Sequence, residues 1–316
     1  MTTSFRKAHP ALRRASAPLA VALTLSINPA AVAAQDMSDV EIETQQVADG
    51  VYMLVGRGGN IGVSVGEDGV FVIDDQFAPL TEKILEAIAA ITPQPVRFVF
   101  NTHWHGDHTG GNENMGEAGA LIVAHANVRS RMSVEQVLER IGRPSTTTPA
   151  SPDGALPVIT FTEEVSFYLN GDRLHAFHVS NAHTDGDAIV HLERANVVHM
   201  GDTFFRGRFP FIDTASGGSI DGLIEAVGAA LGVMDADTRI IPGHGDLSTR
   251  EDLRGYRDAL VSMRGAVAEL AHRGMSLEEI QSARPIEPQA TAWGQDRESE
   301  DAFVATLHHG IMLTGR

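Results

Sequence analysis

The densest group of side chains that can do chemistry lies in a glycine-rich loop after a predicted buried strand. His103, His105, Asp107 and His108 fall within six positions of this loop. Residues two apart on an extended backbone share a face, so His103 and His105 can face one point while the next pair turns towards a second. Imidazole and carboxylate ligands suit zinc, iron and manganese, so this loop predicts a metal site.

Three further candidate ligands stand singly, each in a turn or at the end of a predicted strand. His183 lies in a turn between two strands, and His244 follows the short strand 238–241. The apolar run 197–200 predicts a buried strand, so Asp202 emerges at its end and needs a charged partner or a metal there. The chain has no cysteine, so disulfides and thiolate metal sites are excluded and His, Asp or Glu must hold any metal.

The elements that must position these ligands follow from the hydrophobic periodicity. In the first half, β-rich runs predict strands at 51–55, 61–65, 69–73, 96–100 and 121–124. Helical spacing predicts helices over 80–91 and 128–141. The segment 143–157 is rich in Pro, Thr and Ser, which predicts a surface loop or crossover.

The second half repeats this plan of strands followed by helices. Strand pairs are predicted at 167–179 and 188–200, a helix capped by Ser219 over 219–231, and a terminal helix over 301–313. The predicted capping boxes pair Ser248 with Glu251 and Ser276 with Glu279. Strands inside and helices outside suggest an α/β fold of four layers, helix–sheet–sheet–helix, although periodicity alone does not fix that architecture.

Residues 1–34 have the pattern of a secretory signal peptide. Four basic residues between positions 6 and 14 precede an apolar run at 17–27, and small residues lead to a predicted cleavage before Gln35. The apolar run is too short to span a membrane comfortably. We therefore expect a mature domain over 35–316 that is periplasmic or secreted in a bacterium, with no membrane association after cleavage.

The charge balance restricts the partners. The formal net charge is −17, and without the four basic residues of the signal the remainder carries 20 basic and 41 acidic side chains, about −21. A surface this acidic repels phosphate backbones. We therefore expect a small-molecule substrate and no nucleic-acid partner.

The sequence His-x-His-x-Asp-His at 103–108, followed by His183, Asp202 and His244, resembles the motif of the metallo-β-lactamase superfamily. The resemblance spans about residues 44–260 and extends to Val-Ile-Asp-Asp at 72–75. It implies an αββα sandwich with the site at one edge between the two sheets. It also implies two sets of metal ligands: His103, His105 and His183 for one metal, and Asp107, His108 and His244 for the second, with Asp202 bridging both or belonging to the second.

The resemblance implies a mechanism as well. A water shared by the two metals becomes a hydroxide nucleophile near neutral pH, and the metals polarise the scissile carbonyl. Asp107 is the implied catalytic residue, which orients the hydroxide and later passes a proton to the leaving group. Asp74 would support the ligand loop from behind.

Asp202 departs from the best-known zinc β-lactamases, which carry Cys at this position. An Asp there is similar to hydroxyacylglutathione hydrolases, lactonases and other hydrolases. Carboxylate is a harder ligand than thiolate, so we expect two zinc ions, with iron or manganese as alternatives. Phe205 stands where a substrate-binding lysine is expected, which leaves Arg206 or Arg208 as candidates for contacting an anionic substrate.

Three functions remain open. The first is a dinuclear zinc hydrolase that opens β-lactam rings. The sequence resembles the periplasmic β-lactamase-like and quinoprotein-relay-type branch more than it resembles the hydroxyacylglutathione hydrolases. The second is a hydrolase with the same metals that cleaves a thioester, a lactone, or a phosphate or sulfate ester. The third is a periplasmic accessory protein of a quinoprotein oxidation system, which would bind metal without turnover.

Overall fold

Short β-rich runs separated by turns form the strands of the first half in the computed structural model, which describes residues 1–2, 37–138, 141 and 145–314. These strands are β1 (Glu43–Ala48), β2 (Val51–Val55), β3 (Ile61–Gly66), β4 (Gly69–Ile73), β5 (Val96–Asn101), β6 (Leu121–His125), β7 (Gln136–Leu138), β8 (Thr146–Thr148) and β9 (Ile159–Phe161). β7 and β8 form a hairpin of their own, and the others form one sheet in the order β1-β2-β3-β4-β5-β6-β9. Neighbours are antiparallel from β1 to β4 and parallel from β4 to β9.

The second half builds a six-stranded sheet in sequence order. Its strands are β10 (Glu164–Leu169), β11 (Asp172–His178), β12 (Ala188–Leu192), β13 (Val197–His199), β14 (Arg239–Ile241) and β15 (Ser248–Thr249). The β10–β11 turn is Asn170-Gly171, where both residues have positive φ, the conformation that two-residue hairpins favour. β13 and β14 are parallel, and the other neighbouring pairs are antiparallel.

Helices cover the outer faces of both sheets. They are α1 (Thr81–Ile91), α2 (Gly106–Thr109), α3 (Asn112–Glu117), α4 (Ala126–Met132), α5 (Ile220–Val233), α6 (Arg250–His272), α7 (Leu277–Ala283), α8 (Glu287–Ala292) and α9 (Arg297–Thr314). The apolar faces of α5, α6 and α9 share one buried cluster with the outer face of the second sheet. α1 packs in the same way on the first sheet, through Ile84 and Ile88.

Strand β4 shows how the core is divided into layers. All five of its residues are buried, and side chains alternate between the two faces of a strand. Phe71 and Ile73 join the cluster between the sheets, whereas Val70 and Val72 pack beneath the helices of the first half. The order of layers is helix–sheet–sheet–helix, which confirms the predicted αββα sandwich.

The predicted helix over 128–141 is wrong in its second part. α4 ends at Met132, and the side chain of Gln136 donates hydrogen bonds to the carbonyl of Arg131 in the last turn of α4 and to that of Val134 just beyond it. β-Branched Val137 and Thr146–Thr148 then favour a hairpin. The predicted loop over 143–157 therefore contains strand β8 and a 3₁₀ turn at Asp153–Ala155.

One predicted helix cap is displaced by one residue. Ser248 belongs to β15, where its hydroxyl already donates to the carbonyl of Asp246. Thr249 caps α6 instead and forms a capping box with Asp252, so the box predicted between Ser248 and Glu251 is wrong. The Ser276–Glu279 box and the Ser219 cap are present as predicted.

The predicted signal peptide, apart from its first two residues, lies outside the described part of the chain. Among the helices that the structure does describe, none combines the length and the apolar character needed to cross a membrane.

Candidate metal centre

Two pairs of parallel strands bring the predicted ligands to one edge of the sandwich. β4 pairs with β5 in the first sheet and β13 with β14 in the second, and the carboxyl ends of parallel neighbours meet at the same edge. The loop of His103 follows β5, Asp202 follows β13 and His244 follows β14. These three segments therefore converge although they are far apart in the sequence.

The structure brings all seven predicted ligands together in two clusters. The first contains His103, His105, His183 and Asp202, and its four donor atoms all lie within 4.8 Å of one another. His183 Nε2 is 2.8 Å from His105 Nδ1 and 3.5 Å from Asp202 Oδ2. His103 Nε2 lies 3.8 Å from the same carboxylate oxygen. Three imidazole nitrogens and one carboxylate thus surround a single point.

The second cluster contains Asp107, His108 and His244. Asp107 Oδ2 is 3.7 Å from His108 Nε2 and 3.3 Å from His244 Nε2. The other oxygen of Asp202, Oδ1, approaches the same two nitrogens at 3.1 and 3.4 Å. Asp202 directs one oxygen at each cluster, which is the placement of a carboxylate shared by two metal ions.

Hydrogen bonds behind the ligands fix which nitrogen of each imidazole faces the clusters. His108 Nδ1 is 2.7 Å from Asp74 Oδ2, and His105 Nε2 is 3.0 Å from Asp213 Oδ2. His183 Nδ1 donates to the carbonyl of Phe211 at 2.7 Å. Such partners set the tautomer and the ring orientation of metal-binding histidines. The opposite nitrogen of each ring therefore faces the clusters.

Asp74 holds the ligand loop from behind. It follows β4 with a φ of 64°, an uncommon conformation for a non-glycine residue, and is fully buried. Its carboxylate accepts hydrogen bonds from the backbone N–H and the hydroxyl of Thr102, both at 2.8 Å, in addition to the contact with His108. Its neighbour Asp75 accepts from the N–H of Gly111. Two adjacent acids therefore fix both ends of the loop.

The sequence reasoning missed two supporting carboxylates. Asp187 Oδ2 accepts hydrogen bonds from the N–H groups of His183 and Thr184, at 2.6 and 2.7 Å. Asp213 contacts His105 through its side chain and donates its own N–H to the carbonyl of His183 at 3.0 Å. Asp187 had a local signal, since it closes the polar turn that presents His183. Asp213 had none, because its partner lies 108 residues away.

Two glycines allow the backbone to touch the ligands. A Cβ added to Gly59 would stand 2.1 Å from the His108 ring, and one added to Gly243 would stand 2.1 Å from Asp202 Oδ1. Real Cβ atoms essentially never approach another heavy atom closer than 3.0 Å. Each ligand is therefore packed against bare backbone, which leaves it no room to shift.

The electrostatics divide the histidines into two classes. Burial lowers the pKa of His103 well below its usual value, aided by the charge of His108, and burial lowers the pKa of His183 to about 4. Burial also opposes protonation of His108 and His244, but the combined interactions with the neighbouring carboxylates, that of Asp202 first, outweigh it. The pKa of His108 is therefore raised well above its usual value and that of His244 is raised to about 9.

The carboxylates between these histidines are held ionised. Burial by itself would raise the pKa of Asp202, yet the charges of His108 and His244 hold it well below its usual value. The same balance of burial against the charge of His108 and a hydrogen bond from His244 lowers the pKa of Asp107 to about 2. The two carboxylates are therefore paired with the positive charge of His108 and His244, and a metal ion bound between the same groups would take the place of those protons.

The donor set fits two metal ions. His103 Nε2, His108 Nε2 and Asp202 Oδ1 are buried and have no hydrogen-bond partner among the described residues. Buried polar atoms are normally paired, so unpaired donor atoms that converge on two points indicate ligands for a cation. The chemistry agrees, since five imidazoles and two carboxylates are ligands for first-row transition metals.

A cavity of about 620 Å³ opens onto the second cluster and is lined by Asp107, Asp202 and His244. Aromatic side chains form much of its wall, including Trp104, Phe205 and Phe211. The ring of Phe205 stacks on that of His244, with centroids 5.4 Å apart and planes inclined by 14°. The clusters therefore lie on the floor of a largely apolar chamber.

The two arginines considered for substrate binding do not line this cavity. Arg206 Nη1 lies 2.8 Å from Asp252 and also donates to the hydroxyl of Ser248. The guanidinium of Arg208 lies over the Phe205 ring, 5.6 Å from its centroid. Both therefore act in packing the loop that follows Asp202.

Comparison with known proteins gives a consistent result. The family model of the metallo-beta-lactamase superfamily matches residues 54–272. A metallo-beta-lactamase type 2 of Bacteroides fragilis is 23% identical over 235 residues, which cover 71% of this chain and 88% of that protein. A hydroxyacylglutathione hydrolase of Erythrobacter litoralis is 30% identical over 111 residues, which cover only 35% of each protein.

Solved structures show the same fold. The metallo-beta-lactamase from Pontibacter korlensis superposes with a TM-score of 0.58 at 17% identity and covers 70% of this chain and 99% of its own. The DIM-1 metallo-beta-lactamase superposes with a TM-score of 0.55 at 18% identity and covers 71% of this chain and 99% of its own. With a family match over most of its length and a buried His/Asp site that has Asp202 in place of Cys, the chain belongs to the metallo-beta-lactamase superfamily.

Proposed function

We propose that the protein is a dinuclear metal-dependent hydrolase that attacks a carbonyl substrate, with the β-lactam ring as the first candidate bond. The observation that carries the proposal is the position of Asp202, which directs one carboxylate oxygen at each of two donor clusters on the floor of an open cavity. Structural metal sites are usually closed, whereas catalytic sites keep a position open to substrate. The cavity supplies that access.

Each of the two donor clusters would hold one metal ion. His103, His105 and His183 would hold one ion, Asp107, His108 and His244 the other, and Asp202 would serve both. When bound, the two ions would acidify a water molecule and polarise the scissile carbonyl.

Asp107 is the ligand whose carboxylate is most exposed, at 29%, and it lines the cavity. An ionised carboxylate at this place can accept a proton from the attacking water and return it to the leaving group.

Zinc is the proposed metal, with iron or manganese as alternatives. Imidazole suits all three ions, and the carboxylate of Asp202 is a harder ligand than the thiolate for which it stands. We further propose that the protein is exported to the periplasm or secreted and acts on a small molecule, on the basis of the pattern in residues 1–34 and the acidic surface.

The choice of bond is supported by two different likenesses. The relative that matches most of the chain and the superposed structures are named metallo-beta-lactamases, which favours a β-lactam substrate. The shorter match is to a hydroxyacylglutathione hydrolase, and Asp202 agrees with that group, which favours a thioester or lactone as the second candidate.

The proposal is tested by metal analysis paired with a turnover screen. Protein that begins at Gln35 is purified, its bound metals are counted, and it is assayed with a penicillin, a carbapenem, a lactone, a thioester and an aryl phosphate. We expect two metals and chelator-sensitive turnover of a β-lactam. Turnover of another bond alone would move the function to the second candidate, and two metals without any turnover would favour an accessory role.

Asp202→Ala supplies the matching variant, because it removes the carboxylate common to both clusters. We expect it to lose at least one metal and to abolish turnover. Asp258→Ala, at an exposed position of α6, is the control for the same substitution away from the site. If Asp202→Ala kept two metals and full activity, the assignment would be wrong.

A further inference from the structure

One wall of the cavity comes from the C-terminal helix α9. Ser299, Ala302, Phe303 and Thr306 all line the chamber that contains Asp107 and the other cavity-facing ligands. These positions follow the spacing i, i+3, i+4 and i+7, which places them along one stripe of a helix. The helix therefore presents a continuous face to the metal centre.

α9 is held firmly in this position. The same helix buries Leu307 and Ile311 in the core beneath the second sheet. Glu300, which is only 1% exposed, lies 2.7 Å from Arg284 after the end of α7. Packing on one side and this ion pair on the other make α9 a fixed wall.

An aromatic loop joins α9 to the metal ligands. Phe209 stacks on Phe303 with ring centroids 4.7 Å apart and planes inclined by 13°. Two residues further on, Phe211 lies 5.8 Å from the His105 ring and 5.7 Å from the His183 ring. One continuous apolar surface thus runs from the helix to the first cluster.

This wall lies outside the part of the chain that the family model matches, which ends at residue 272. Its lining positions combine apolar Ala302 and Phe303 with the small hydroxyl side chains of Ser299 and Thr306, and no lysine or arginine among the residues 37–138, 141 and 145–314 lines the cavity. Cavities of this size and character bind small molecules by burying their apolar surface.

We infer that α9 and residues 205–212 bind an apolar acyl or aryl arm of the substrate beside the scissile bond. The inference rests on the proposed function, because it assigns a substrate class to the same site. α9 is thereby a specificity element: it selects substrates by their arm, while the donor clusters act on the bond.

The test measures binding separately from hydrolysis. Acetohydroxamic and octanohydroxamic acids share a metal-chelating head group and differ by six methylene groups. Their dissociation constants on the metal-loaded full chain are measured by isothermal titration calorimetry. Each buried methylene strengthens binding about fourfold, so three buried methylenes would give a preference of roughly sixtyfold for the longer probe.

Ala302→Gln places a polar side chain on the wall at a partly exposed helical position that tolerates it. We expect the preference for the longer probe to fall at least tenfold, while acetohydroxamic acid binds as before. His309→Gln introduces the same side chain at an exposed position of α9 and is the matched control. Phe303→Leu is a second variant that keeps the wall apolar and changes its shape, and circular dichroism checks that each variant is folded.

Equal affinities for the two probes would overturn the inference even if the protein hydrolysed every substrate in the screen. A preference that survives both Ala302→Gln and Phe303→Leu would also overturn it, because the arm would then bind elsewhere. Arm-dependent binding that is lost in Ala302→Gln, without turnover of any substrate, would support the inference and refute the proposed hydrolase.

Discussion

Gly243→Ala is the sharpest perturbation of the metal centre, because it adds one carbon atom and removes no ligand. The new Cβ would stand 2.1 Å from Asp202 Oδ1, 2.5 Å from the carbonyl oxygen of Gly201 and 2.6 Å from its carbonyl carbon. Two of these three atoms are backbone, so rotation of the Asp202 side chain cannot relieve the contact. The Gly243 N–H also donates to the Gly201 carbonyl at 2.8 Å, which ties the two segments together.

The size of the effect follows from these distances. Restoring the 3.0 Å limit for a Cβ from a contact of 2.1 Å requires a movement of about 1 Å. Metal–ligand distances tolerate only about ±0.2 Å. A displacement of about 1 Å at a reacting centre lowers activity by roughly a hundredfold. We therefore expect loss of at least one metal ion and a fall of about this size in kcat/KM.

The assay is metal content after dialysis against a buffered free-metal concentration, together with kcat/KM for the best substrate of the screen. Gly255→Ala is the control, because a Cβ at this position of α6 meets no atom within 4 Å. We expect the control to keep its metals and activity. A folded Gly243→Ala protein that binds two metals with unchanged affinity would show that Asp202 is not held as tightly as the geometry indicates.

Three other predictions follow from the same structure. Asp213→Ala removes the acceptor behind His105 and should weaken metal binding about 10- to 100-fold, as read from competition with a chromogenic chelator; unchanged affinity would show that the contact is dispensable. In chelator-treated protein, the raised pKa of His244, about 9, contributes stability that is complete below pH 6.5 and is lost as the pH rises through 9. The lowered pKa of His183, about 4, penalises the folded state increasingly below pH 6.5. Together the two shifts predict that the urea midpoint peaks near pH 6.5, and a midpoint that keeps rising to pH 9 would contradict them. Gly265 lies at an exposed position inside α6, where an added Cβ would meet no atom within 4 Å. Gly265→Ala should therefore raise the free energy of unfolding by about 0.5–1 kcal/mol, seen as a small rise in Tm. A lower Tm would contradict this.

The sequence was informative where chemistry and periodicity are local. The spacing of His103, His105, Asp107 and His108 after a strand predicted a loop that the structure places at the edge of the first sheet. The layered fold was predicted from the alternation of strand-like and helix-like segments, but only the family resemblance identified it as an αββα sandwich.

What the sequence did not predict depends on partners distant in the chain. Asp213 has no local pattern that distinguishes it, since its role depends on His105. The helical spacing after Val128 continued into a hairpin, because the side chain of Gln136 binds a carbonyl in the last turn of α4 and β-branched residues follow. The cavity-lining face of α9 was not predicted, because the cavity forms only in the folded chain and is not visible in the sequence.

The first cluster draws His103 and His105 from the edge of one sheet and His183 from the edge of the other. His105 and His183, which meet there, are 78 positions apart, so an ion at this point would act as a cross-link between the two halves of the sandwich. Such a cross-link contributes to folding by mass action, about 4.1 kcal/mol when the free metal is a thousandfold above its dissociation constant. Removing the metal would therefore loosen the docking of the sheets, and amide hydrogen exchange would rise together in β5 and β13, in different halves of the chain.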